Sequence, residues 1–224
     1  MELAKFLLLP ATAYLVGSFP SAYIWTKLLR RVDIHEVGTG NSGASNVSRS
    51  VGNLSGLVVL FFDSLIKGFL PTLLFVWLEL PIWSLLLSSL SLVAGHNWSV
   101  FSRFKGGRGV ATSIGVVLGF GLWWQMLIMA IGSGLIGRGF IYKDSAPWTI
   151  ASLLMLISLT LIYESRNYVM WLLIGLLALM VVKRVMSNSR ISNLRGNFLS
   201  VMLLRIIFDR DVMSKKDWIN CDHA

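Results

Sequence analysis

The chain has 224 residues, 55% of them hydrophobic and 14% charged, whereas a soluble domain carries about a quarter charged residues. A mean hydropathy of +0.69 and apolar runs recurring from residue 3 to residue 182 argue against a soluble globule and predict one all-α, polytopic membrane domain. The net charge of +9 does not point to nucleic acid, because Lys and Arg cluster between the apolar runs instead of covering a soluble face.

The first run, residues 3–25, resembles a secretory leader in position. Its start is weakly charged and its apolar stretch too long, so it reads as a first span that stays in place. Further runs fall at 54–78, 80–94, 110–136, 147–163 and 168–182, some of them shorter than the usual 17–25 residues of a spanning helix. Lys27, Arg30, Arg31 and Arg49 follow the first run, Arg103, Lys105 and Arg108 the third, Arg138 and Lys143 the fourth, and eight more Lys and Arg begin at Lys183. The positive-inside rule wants all four groups on the cytoplasmic side. Six crossings cannot arrange that. A break near Gly119-Phe120-Gly121 divides the fourth run into two short helices and restores the parity. The expectation is therefore about seven transmembrane helices, N-terminus outside and C-terminus cytoplasmic. Residues 1–186 form the transmembrane domain and 187–224 a basic cytoplasmic tail. Within the tail, the apolar stretch 198–208 with Arg195, Arg205 and Arg210 reads as an interfacial helix; Arg205 speaks against an eighth span. Cys221 is the single cysteine, which excludes an intrachain disulfide.

Two segments carry chemistry. Gly38-Thr39-Gly40-Asn41-Ser42-Gly43-Ala44-Ser45-Asn46 with Arg49 beyond it combines glycine backbone, hydroxyl and amide donors and a guanidinium, the makings of an anion concavity. A flexible loop is the equal alternative on this segment alone. Lys105-Gly106-Gly107-Arg108-Gly109 runs straight into an apolar helix, which places two cations and free N–H groups at a helix N-terminus, a phosphate site on physical grounds. The plainer reading is that Lys105 and Arg108 anchor that helix at the head groups. It is not a Walker loop. His96, at the start of the same segment, is a candidate base or hydrogen-bond donor; His35 and His223 lack such a setting, and the three histidines make no metal site. Asp63 and Lys67, four apart in the second span, share a helix face. A structural pair is favoured for them over a place at the site, since intramembrane charges are expensive and seek interior partners.

These ordered motifs resemble the bacterial acyl-phosphate:glycerol-3-phosphate acyltransferases of the PlsY type. The resemblance covers residues 15–112 well: Gly17-Ser18-Phe19-Pro20, the 38–49 segment, Asp63 with Lys67-Gly68, and Gly95-His96 followed by Phe104-Lys105-Gly106-Gly107-Arg108-Gly109-Val110-Ala111-Thr112. Where the family's third motif is expected, this chain has Lys183-Arg184-Val185-Met186-Ser187-Asn188-Ser189-Arg190, without its closing glutamate; Asn188 and Asn193 are candidates for its amide. The resemblance implies an enzyme of the plasma (inner) membrane, its site facing the cytoplasm. It would pass a fatty acyl group directly from acyl phosphate to glycerol 3-phosphate, with no cofactor or metal and with membrane lipids and the two substrates as partners. Arg49, Lys105 and Arg108 would hold phosphates, and Gly106, Gly107 and Gly109 would allow close backbone approach. Thr39 and Asn41 would orient substrate, His96 could take the hydroxyl proton, and Asn46, Asp63 and Lys67 would support them. The competing readings are a transporter of a phosphorylated or anionic solute and a catalytically impaired homologue.

Overall fold

The structure, a computed structural model, describes residues 2–186, 197–214 and Trp218. Asn188, Arg190, Asn193, Arg195, Cys221 and His223 lie outside the described residues. Among the described residues all regular structure is helical.

The first span runs as α1 (Glu2–Ser18), breaks at Phe19-Pro20 and resumes as α2 (Ser21–Arg30). Helix α3 (Ala44–Ser50) occupies half of the segment that the sequence suggested was a loop. Its Ser- and Asn-rich composition carries little intrinsic helix signal, and tertiary contact with the next helix supplies the rest. The second rod, Asn53–Trp77, consists of α4 (Asn53–Phe61), a π-helical stretch Phe62–Phe69, and α5 (Leu70–Trp77). Then follow α6 (Ile82–Asn97) and α7 (Val110–Gly119). The chain breaks after α7, with Gly121 at φ +81°, and restarts as α8 (Trp123–Met129), extended by a π-helical stretch Ala130–Ile141. Helices α9 (Ser145–Tyr163), α10 (Asn167–Met186) and α11 (Phe198–Phe208) complete the fold.

Among the described residues, five helical stretches are long and apolar enough to cross a membrane: Leu7–Arg30, Asn53–Trp77, Trp123–Ile141, Ser145–Tyr163 and Asn167–Met186. Helices α6 and α7, of 16 and 10 residues, reach only about 24 and 15 Å at 1.5 Å per residue. Helix α7 has no exposed residue, and α6 is buried over most of its length, with Ile82, Trp83 and Leu87 exposed. Gly17 of α1 meets the backbone of Leu92 in α6, and Gly95 meets the Tyr14 carbonyl; a Cβ at either glycine would collide with main chain. Gly115 of α7 lies in the same way against the Ser64 carbonyl, and Gly68 against that of Thr112. In lipid, helices gain little from mutual hydrophobicity, so such close backbone approach is what binds them. It also explains how a broken half-length helix is tolerated, since its irregular end is shielded by protein. Leu92, Val116, Leu122, Leu156, Leu172 and Leu173 form the fully buried centre around α6, α7, α9 and α10.

Candidate active site

Helix α6 ends at His96 and Asn97, both buried, and the following segment folds back over that end. Arg103 and Phe104 turn it through left-handed backbone, φ 51° and 62°, a conformation uncommon outside glycine. The Gly107 N–H then donates to the His96 carbonyl at 3.1 Å. A Cβ on Gly106 would strike the His96 and Asn97 carbonyls, and one on Gly107 would strike the His96 imidazole. These two glycines thus serve the packing around His96 and are not on the cavity wall. Gly109, at φ +74°, caps the N-terminus of α7 and does line the cavity with Val110 and Ala111. The first N–H groups of a helix lack intrahelical acceptors, so this end presents positive partial charge. Lys105 is exposed and off the cavity wall, which favours its head-group reading.

Arg108 lies at the same helix end. Its Nε is 2.9 Å from Asp209 Oδ2, and Nη1 donates to the Lys183 carbonyl at 3.3 Å. Burial lowers the Arg108 pKa from its ordinary value, while the Asp209 carboxylate acts to raise it.

The π-helical stretch carries Asp63 and Lys67, paired at 2.7 Å and buried. Ser21 Oγ donates to Asp63 Oδ1 at 2.6 Å, and His96 Nδ1 stands 3.8 Å from Oδ2, an electrostatic contact longer than a hydrogen bond. π-helical turns are rare and concentrate at functional sites. The pair is therefore structural and also reaches the site: Asp63 lines the cavity beside His96, with Lys67 behind it.

The 38–46 segment is organised by Asn46. Its Nδ2 lies within hydrogen-bond reach of the carbonyls of Ile34 (3.2 Å), Val37 (3.0 Å) and Asn41 (3.1 Å), while Oδ1 accepts the Thr39 N–H at 3.0 Å. Gly38 and Gly40 supply the left-handed backbone that closes this turn. Thr39 and Asn41 are thereby fixed on the cavity wall, with Arg49 projecting from α3. The segment is a hydrogen-bonded turn that leads into α3.

The cavity encloses about 730 Å³, within the usual range for ligand sites. Its far wall consists of Arg138, Asp144 and Thr149 at the α9 entrance, Arg184 of α10, and Phe208, Asp209 and Arg210 at the end of α11; sequence reasoning had singled out Arg138, Arg184 and Arg210 as basic residues past apolar runs, without a place at the site, and had missed the rest. Arg184 donates to the Ile206, Ile207 and Ala146 carbonyls and to Thr149 Oγ1. Arg210 pairs with Asp144. The available signal was the dense charge just past each apolar run. Five guanidinium groups against three carboxylates line the cavity, which favours anionic ligands.

Fold and site together define a helical membrane protein that gathers guanidinium groups around a helix N-terminus, an anion-binding arrangement. Residues 7–195 match the family described as glycerol-3-phosphate acyltransferase, and the chain belongs to that family. It is 35% identical to glycerol-3-phosphate acyltransferase 4 of Dehalococcoides mccartyi (strain CBDB1), over 98% of this chain and 95% of the relative. With glycerol-3-phosphate acyltransferase of Aquifex aeolicus it shares 36% identity over 76% of this chain and 97% of the relative. The fold matches a crystal structure of PlsY (YgiH), an integral membrane glycerol 3-phosphate acyltransferase, in its glycerol 3-phosphate form. The TM-score is 0.68 at 33% identity, covering 80% of this chain and 88% of that one. A lysophosphatidic acid form of PlsY gives 0.66 at 31% identity, over 80% and 87% of the two chains.

Proposed function

We propose that this cavity is where the chain joins a fatty acyl group to glycerol 3-phosphate, forming lysophosphatidic acid for phospholipid synthesis, with acyl phosphate as the donor. The acyltransferase reading rests on family membership; it also takes precedence over solute transport. The siting rests on one observation. Arg49, Arg108, Arg138 and Arg184, from four separate segments, line one cavity together with His96, Thr39 and Asn41.

Arg108 and the head of α7 take one substrate phosphate; Arg49, Thr39 and Asn41 hold the other. Leu57 and Leu60 of α4, on the cavity wall and exposed, give the acyl chain a way out to lipid. The acceptor hydroxyl oxygen attacks the acyl carbonyl carbon, the bond from that carbon to the phosphate oxygen breaks, and inorganic phosphate leaves. His96, with Asp63 beside Nδ1, is the side chain set to take the hydroxyl proton, the departing phosphate being the other acceptor. An acyl phosphate is already activated, so orientation and charge neutralisation supply most of the acceleration.

The convergence also supports seven crossings, with the N-terminus outside and the cavity on the cytoplasmic side of the plasma (inner) membrane. Segments 38–49, 103–109 and 138–144 and the chain beyond 183 meet at one cavity and so belong to one side. That requires both α7 and the Trp123–Ile141 helix to cross.

The test is to supply the purified protein in lipid with labelled glycerol 3-phosphate and either acyl phosphate or an acyl thioester. Lysophosphatidate from acyl phosphate is expected. Product from the thioester alone would overturn the donor, and no product from either would overturn the activity. Uptake into sealed vesicles without acyl transfer would restore the transport reading.

A further inference from the structure

Asp209 lies beyond the family match, which ends at residue 195. A carboxylate on the wall of a phosphate site opposes the ligand unless it serves a cation there. Asp209 has such a cation, with Oδ2 2.9 Å from Arg108 Nε. It also interacts electrostatically with Lys183 and Arg184, whose charges lie close enough to Arg108 to be felt by it. Three crowded cations repel one another, and Asp209 is a counter-charge that all of them share.

The turn that carries Asp209 is itself held from several directions. The Asp209 N–H donates to the Arg205 carbonyl at 3.0 Å, in a left-handed cap at φ 57°. Arg184 grips two carbonyls of the last turn of α11, those of Ile206 and Ile207. On the next two residues, Arg210 pairs with Asp144 and Arg205 with Asp211 at 2.6 Å. Arg205 also donates to the Val185 carbonyl at 2.9 Å, tying α11 to the end of α10. So many contacts on one turn, with Arg210 and Asp211 buried, indicate a fixed position.

We infer that Asp209 is a positioning residue of the acyl-transfer site: the turn after α11 holds the Arg108 guanidinium in place to receive substrate phosphate, so the tail helix completes a site begun by the glycine segments. This rests on the reading of Arg108 as a phosphate ligand.

Asp209→Asn is a clean probe, because asparagine tolerates the left-handed cap while losing the charge. Asp209→Gly keeps the cap without any carboxylate or amide. In the acyl-transfer assay, both variants are expected to raise KM for one phosphate-bearing substrate about tenfold, the scale of one lost charge-assisted bond. Changes in kcat should be smaller, and inhibition by inorganic phosphate should weaken in parallel. Asp209→Glu should recover most of the loss. In the Arg108→Ala background Asp209→Asn should add nothing further. An unchanged KM would overturn the inference. A lowered KM would overturn it too, by making Asp209 a competitor for Arg108. Full activity in Arg108→Ala alone would instead defeat the phosphate-site reading beneath it, so the two failures are distinguishable.

Discussion

The two halves of the molecule surround the same cavity by different means. From Gly17 to Gly119 the helices touch through glycines that meet backbone: Gly17 on Leu92, Gly95 on Tyr14, Gly115 on Ser64. In the second half the glycines of the Ala130–Ile141 stretch meet flexible or displaceable groups, Met155 for Gly132 and the Trp148 ring for Gly137, or nothing within 4 Å for Gly134 and Gly139. The most apolar part of Trp123–Ile141 is only 11% buried, against 28% for Asn53–Trp77 and 39% for Asn167–Met186, so the loosely packed element of the second half is the first of these. Backbone-to-backbone contact leaves no freedom to adjust. The first half is therefore a fixed frame for His96, Thr39 and the head of α7, and the second closes the cavity through side-chain contacts, those of the buried Arg184 and Arg210 among them.

The sharpest break of this contrast is a pair of matched substitutions. Gly106→Ala drives a Cβ into the His96 and Asn97 carbonyls and is expected to lower acyl transfer about 100-fold, the usual cost of an ångström-scale misplacement. Gly139→Ala, with open space around it, should leave the rate at wild type. Equal losses at both positions would erase the distinction.

Next in size is Asn46. Asn46→Ala leaves polar groups of the 34–41 turn unpaired, at about 1–3 kcal/mol for each one that stays buried. Asn46→Asp should be worse, because a carboxylate cannot donate to the Ile34, Val37 and Asn41 carbonyls that the amide faces. Thermal denaturation in detergent and the KM for glycerol 3-phosphate would both report it. A stable, active Asn46→Asp protein would refute the organising role.

Arg184→Ala tests the wall built from side chains. It removes the grip on Ile206, Ile207, Ala146 and Thr149 and should loosen α11, seen as faster proteolysis after Met186 with the span helices intact. Loss of the whole fold would show that this wall is as rigid as the frame.

The smallest effect belongs to Glu164 and Arg166, between α9 and α10. The Arg166 side chain, 37% exposed, donates to Glu164 at 2.8 and 2.7 Å and holds its carboxyl below the ordinary value. A lowered carboxylate pKa stabilises the fold above the unfolded-state value, and that stability fades as pH falls through the folded one. Solvent screening keeps the pair at about 0–1 kcal/mol, so Glu164→Gln should shift the melting temperature by a few degrees at most and only above the acid range.

What was legible of the first half in the sequence lies in its local motifs, although its helix contacts, such as Gly17 on Leu92, are long-range. Glycines beside His96 and at the head of α7 sit within a few residues of what they serve, and the break at Gly121 followed from loop charge. Lys105 and Arg108 look equivalent in Lys-Gly-Gly-Arg-Gly, yet the left-handed turn at Arg103 and Phe104 leaves Lys105 exposed and Arg108 part-buried on the cavity wall. No periodicity could have revealed that choice. The far wall was illegible for a different reason. Arg184 meets Thr149 across 35 residues, and Arg210 meets Asp144 across 66. Such pairs are specified by helix packing and leave no motif along the chain.

The central claim is that the head of α7, with Arg108, holds a substrate phosphate during acyl transfer. The most direct measurement is kcat/KM for lysophosphatidate formation by Arg108→Ala, in protein shown to be inserted and thermally stable. Loss of a charge-stabilising group at a reacting phosphate predicts a fall on the order of 10²–10³. A rate equal to wild type would contradict the account.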